Sequence, residues 1–94
     1  MNKKVDFSQI EVEMIDGKMA KADLQHGENG LGNQIYMQAR ELKWKDLGRK
    51  IYYAEGEVEI NDEEEKHILN FIKPWSLVLQ EGIKRAFENK TFSS

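Results

Sequence analysis

The chain has 94 residues, no cysteine, one proline and a formal net charge of −3. That length makes one small domain, which buries only about 60–65% of the surface its unfolded chain exposes, so its core is small and a second copy would relieve the shortage. The missing cysteine excludes a disulfide framework, a thiolate zinc site and a thiol nucleophile, and the negative balance argues against a sequence-independent grip on nucleic acid by the whole surface.

At the N-terminus, Met1 to Phe7 carries Lys3 and Lys4 but no apolar run after them, so no signal peptide is read there. Elsewhere no stretch approaches the roughly 18 apolar residues of a membrane span. A cytoplasmic protein without a membrane segment is the expectation. Ile10, Val12 and Met14 alternate with Glu11 and Glu13, the two-residue period of a half-buried strand. Asp16-Gly17 signals a turn, after which Ala20, Ala22 and Leu24 alternate with Lys21 and Asp23. A two-residue loop would set Val12 beside Lys21 and Ile10 beside Asp23. A three-residue loop of Ile15, Asp16 and Gly17 sets Val12 beside Ala20, Ile10 beside Ala22 and Glu11 beside Lys21. Apolar and charged partners then match, so the three-residue loop is predicted, with Gly17 at positive φ.

His26 to Asn33 reads as a loop, and helical spacing follows at Leu31, Ile35, Ala39 and Leu42. Asp46 is the expected N-cap of a second helix that carries Leu47 and Ile51 and ends near Glu55-Gly56. Glu57 to Ile60 alternates as a short strand. Asn61 or Asp62 with Glu64 and Glu65 predicts a capping box and a third helix with Ile68, Leu69 and Ile72 inward. Pro74 breaks that helix and is expected in the first turn of a fourth, whose apolar positions are Trp75, Val78, Leu79, Ile83, Ala86 and Phe87. Residues 89–94 are expected to fray. The order ββααβαα describes an α+β domain with a small sheet.

Leu31-Gly32-Asn33-Gln34-Ile35-Tyr36 returns sixteen residues later as Leu47-Gly48-Arg49-Lys50-Ile51-Tyr52. In one straight helix that offset turns the second copy about 160° from the first. One core could not bury both, so the chain must break, expected between Lys43 and Asp46, and fold back. Glycine beside each leucine would let another backbone approach closely. Leu31 to Tyr36, Lys50 to Tyr52 and Gly56 to Ile60 before an acidic capped helix resemble short bacterial and phage-like proteins with a Leu-Gly-Asn-x-Ile-Tyr segment, a group without an established activity. That resemblance spans most of the chain. It implies a small accessory protein, with no catalytic residues to carry over.

Signs of chemistry are few. Gly27 and Gly32 have the spacing of a phosphate loop, but Asn33 and Gln34 stand where lysine and a hydroxyl are needed, and Glu28 adds a repelling charge. Glu64 and His67 have the Glu-x-x-His spacing of di-iron bundles, without the second copy such a site requires. Nothing marks a serine as activated. Plentiful carboxylates usually mean a solvated face. No cofactor, metal or catalytic residue is therefore assigned, and an enzyme is not expected. Arg40 to Lys50 holds five bases and two acids, whereas Glu55 to Glu65 holds seven acids and no base. The surface patch that stands out is Arg40, Lys43, Trp44, Lys45, Arg49 and Lys50. If these bases form one exposed stripe, nucleic-acid binding gains. If Trp44 is buried and Arg49 and Lys50 face the acidic block, it fails. The leading expectation is a non-enzymatic protein-interaction module that pairs with itself or another protein. A nucleic-acid-binding accessory protein is the alternative.

Overall fold

The structure, a computed structural model, describes residues 2–92, with side-chain surroundings through Glu88. It is a compact α+β fold in the order β1 (Lys3–Val5), β2 (Ile10–Glu13), β3 (Met19–Ala22), α1 (Leu31–Gln38), α2 (Leu42–Tyr52), β4 (Val58–Ile60), α3 (Asp62–Phe71) and α4 (Leu77–Phe92). The strands form two antiparallel ribbons, β1 with β4 and β2 with β3. The first strand is an addition to the sequence reading. It is too short to show alternation and two of its three residues are lysines, so only Val5 is buried. Its partner fixes it, because Lys4 stands opposite Glu59 and Val5 opposite Val58.

The β2–β3 hairpin has the three-residue loop. Val12 pairs with Ala20, Ile10 with Ala22 and Glu11 with Lys21. The Met14 N–H donates to the Lys18 carbonyl at 2.8 Å, the Gly17 N–H donates to the Met14 carbonyl at 2.9 Å, and Gly17 has φ +84°. Behind the hairpin lies α4, whose Gly82 rests on β2. A Cβ at this glycine would stand 2.9 Å from the Glu11 carbonyl oxygen. Further along, Phe87 meets Phe7 edge-on at 6.2 Å.

The chain breaks between the two copies of the repeat, and Leu31, Ile35, Leu47 and Ile51 all reach one core with Ile60, Ile68 and Ile83. The break lies earlier than expected. Helix α1 stops at Gln38, Glu41 is the N-cap of α2, and Asp46 is inside that helix. Glu41 makes no side-chain cap bond, so local capping preference did not choose this start. Starting α2 at Leu42 instead puts Trp44 on the same side as Leu47 and Ile51, where its ring stacks on His67 of α3. Leu42, expected inward, is 71% exposed. The end of α2 is tied down by Gln25, which is 2% exposed and donates its amide to the Tyr52 and Ala54 carbonyls.

Helix α3 starts with the expected capping box. The Glu64 N–H donates to Asn61 Oδ1 at 2.7 Å, and the Asn61 N–H donates to Glu64 Oε1 at 2.9 Å. Pro74 lies in the corner after α3 rather than in the first turn of α4. That helix begins at Leu77, its first turn anchored by Ser76, whose carbonyl accepts from the Gln80 N–H at 3.0 Å. The Gln80 amide reaches back to the Trp75 carbonyl at 2.7 Å and closes the corner. On α4, Ile83 and Phe87 are buried, while Val78 is exposed. The helix runs to Phe92, into the segment expected to fray, and Ser93 and Ser94 lie outside the described residues.

Candidate functional site: the cleft over the helix crossing

Helical periodicity sorts the basic residues of α2 into two sets. Lys43, Leu47 and Lys50 recur at four and three, and they share the side that meets α3. Lys45, Arg49 and Tyr52 recur the same way on the side that meets α1. On the first side, Lys50 Nζ lies 2.9 Å from a Glu64 oxygen and Lys43 Nζ lies 3.4 Å from a Glu63 oxygen. Between them the half-buried Trp44 stacks on His67, the ring centroids 3.8 Å apart and the planes 2° from parallel. That burial holds the His67 pKa below its ordinary 6.5; the Lys43 charge acts in the same direction, and the Glu41 and Glu63 charges oppose it more weakly. The acidic and basic blocks therefore meet within one molecule.

The second side is different. Gly32 and Gly48 face each other at the crossing of α1 and α2. A Cβ at Gly32 would stand 2.8 Å from Tyr52 N and 2.9 Å from the Gly48 carbonyl oxygen. A Cβ at Gly48 would stand 2.7 Å from both the Gly32 carbonyl oxygen and Tyr36 N. These contacts exchange the two copies of the repeat, so the antiparallel helix pair has a local pseudo-two-fold axis. Backbones this close leave an open cleft above the crossing, of about 550 Å³, lined by Gly32, Asn33, Tyr36, Gly48, Arg49, Tyr52 and Tyr53. Tyr36 and Tyr52 occupy equivalent places in it. Asn33 and Arg49 do too, and there the symmetry breaks, because only one wall is cationic. Lys45 Nζ and Arg49 Cζ lie 5.4 and 5.6 Å from the centroid of the Tyr36 ring. The Arg49 guanidinium beside its hydroxyl, and then the Lys45 charge, hold the Tyr36 phenol below its ordinary 10.0. Tyr52 meets Tyr53 edge-on at 5.0 Å. Among the described residues, neither Lys45 nor Arg49 pairs with a carboxylate.

The six residues of the sequence patch thus do not form one stripe. Lys43, Trp44 and Lys50 turn to α3, Lys45 and Arg49 turn to Tyr36, and Arg40 is exposed in the connection between the helices. Asn33, Tyr36, Tyr52 and Tyr53 were not among the site residues expected. The signal for Asn33, Tyr36 and Tyr52 was the repeat itself, which places a glycine and a tyrosine four apart in each copy; Tyr53 lies one residue past it. The loop of Gly27 to Gly32 closes on itself, its Glu28 carbonyl accepting from the Asn33 and Gln34 amides. Among the described residues, no group of three or more His, Asp or Glu stands together to hold a metal ion, and no helix is long and apolar enough to cross a membrane. Compared with protein-family models, with curated proteins and with solved structures, the chain matches none.

Proposed function

We propose that the chain is a non-enzymatic interaction module that pairs with a second copy of itself through β3. One observation carries this reading: α4 covers the outer edge of β2, while among the described residues no strand pairs with the outer edge of β3. In the hairpin, Met14 and Lys18 form a hydrogen-bonded pair. Alternation then makes Val12–Ala20 and Ile10–Ala22 hydrogen-bonded pairs and turns the backbone groups of Glu11, Met19 and Lys21 outward. The Glu11 carbonyl accepts from Arg85 Nη1 at 3.2 Å, under α4. Met19 and Lys21 keep their outward groups for another strand, with Met14, Ile15 and Met19 exposed around them.

Antiparallel pairing centred on Ala20 sets Met19 opposite Lys21 of the second copy and avoids opposing two lysines. Sedimentation equilibrium is expected to show a dimer whose dissociation constant rises at least about tenfold in Met19→Lys, which opposes two ammonium groups. A wild-type chain that stays monomeric at millimolar concentration removes the proposal. The alternative, nucleic-acid binding by residues 40–50, is left with a smaller surface, because Lys43 and Lys50 already face carboxylates.

A further inference from the structure

The cleft between α1 and α2 has three features of a small-molecule site. Its volume of about 550 Å³ falls within the roughly 300–1,000 Å³ typical of ligand pockets. Its walls offer the rings of Tyr36, Tyr52 and Tyr53, which suit a flat partner. Its charge is one-sided: Arg49 lines it, Lys45 stands at Tyr36, and neither is neutralised by a carboxylate among the described residues. Among the described residues, Lys3, Lys43 and Lys50 meet carboxylates, and do so at β1 or on the opposite side of α2. A guanidinium without a carboxylate partner beside aromatic rings is suited to a carboxylate or phosphate, which it holds through two parallel N–H donors.

We propose that this cleft binds a small planar anion, a ring system bearing one carboxylate or phosphate, with the ring against the tyrosines and the anionic group on Arg49. Asn33 sits opposite, where it reads a polar ring edge with its Oδ1, since its amide nitrogen already donates to the Glu28 carbonyl. The glycine crossing is the floor: Gly32 and Gly48 bring the two helix backbones together there, and both line the cleft.

The test titrates adenosine 5′-monophosphate, indole-3-acetate and benzoate, with neutral adenosine and indole as controls and an oligothymidine as the nucleic-acid probe, into isotope-labelled protein followed by amide NMR. Saturable shifts confined to 32–36 and 48–53 are expected with at least one anion. Phosphate and carboxylate sources are told apart by which anion saturates. Arg49→Gln is expected to weaken binding about tenfold, the loss of one charge-assisted contact, while Arg40→Gln leaves it unchanged. The amide spectrum of each variant shows whether it is folded. A second readout needs no variant: a bound anion offsets the charges at Tyr36 and raises its phenol pKa back toward the ordinary value, seen by ultraviolet titration. The proposal is overturned if no anion saturates, if neutral rings bind as tightly, if binding survives Arg49→Gln in full, or if only an oligothymidine binds, with a steep dependence on salt.

Discussion

A Cβ at position 48 would stand 2.7 Å from the Gly32 carbonyl oxygen and from Tyr36 N, both backbone atoms of a packed helix that cannot rotate away. Two effects of Gly48→Ala therefore oppose each other. Alanine is the better helix former by about 1 kcal/mol. Overpacking typically costs about 1–3 kcal/mol, and here the neighbours on both flanks are main chain. The clash wins, so Gly48→Ala is expected to destabilise the fold in urea denaturation, by about 1–3 kcal/mol. A stabilised variant would mean that the helices can separate cheaply and that the crossing does not set the cleft. Gly17 is a glycine for another reason. Its φ of +84° is left-handed backbone, and no neighbour lies within 4 Å of where a Cβ would go.

At the scale of elements, the contacts that were legible in sequence are local. The hairpin register followed from matching Glu11 with Lys21 and Val12 with Ala20 across four residues of pattern, and the capping box of α3 followed from Asn61 and Glu64 three apart. The start of α2 was missed because packing between elements chose it, against the good local cap at Asp46. The start of α4 was missed although it is locally marked: the Leu79 N–H donates at 3.4 Å to Oγ of Ser76, two residues past the proline expected to open the helix. The joint between α2 and α3 makes a prediction of its own. His67 is half-buried on the face of Trp44, which disfavours its imidazolium and lowers its folded-state pKa below 6.5. In the unfolded chain the ring takes its proton at the ordinary pKa. Between the two values the unfolded state binds more protons, so stability is fully present above about pH 6.5 and is lost as pH falls toward the folded pKa. Phenylalanine at this position would keep the stack and cannot titrate. His67→Phe is expected to flatten the decline in thermal midpoint as pH falls from 7 through 6.5 and below. An unchanged pH profile would assign the decline to other groups.

For the molecule as a whole, the acidic start of α3 is where the charges meet. Glu63, Glu64 and Glu65 receive Lys43, Lys50 and Lys3 in turn, the last from β1. The same acids lie at a helix N-terminus, where the peptide dipoles favour negative charge. The pairs differ in exposure. Side chains of Lys3 and Glu65 are 21% and 20% exposed, against 52% and 66% for Lys43 and Glu63. Exposed pairs contribute only about 0–1 kcal/mol, because solvent and salt screen them. Lys3→Met is therefore expected to lower stability more than Lys43→Met, since it leaves a half-buried carboxylate without its partner and removes a tie between a ribbon and a helix. Equal losses in paired denaturation curves would show that this tie adds nothing beyond surface charge.

What the sequence determined by itself was whatever depends on neighbours a few residues away: the α+β class, the turn at Gly17, the capping box at Asn61, and the need for a break between two Leu-Gly repeats that a straight helix would turn apart by about 160°. Tertiary structure decided where that break fell, that Lys3–Val5 is a strand, and how the bases of 40–50 divide between α3 and the cleft. The physical reason is that each of these depends on a partner distant in sequence, Glu59 for Lys4, His67 for Trp44, Gly32 for Gly48, whose position no local propensity encodes. The repeat carried the information for the cleft, a glycine and a tyrosine four apart in each copy. Only the crossing of the two helices turned that spacing into a surface.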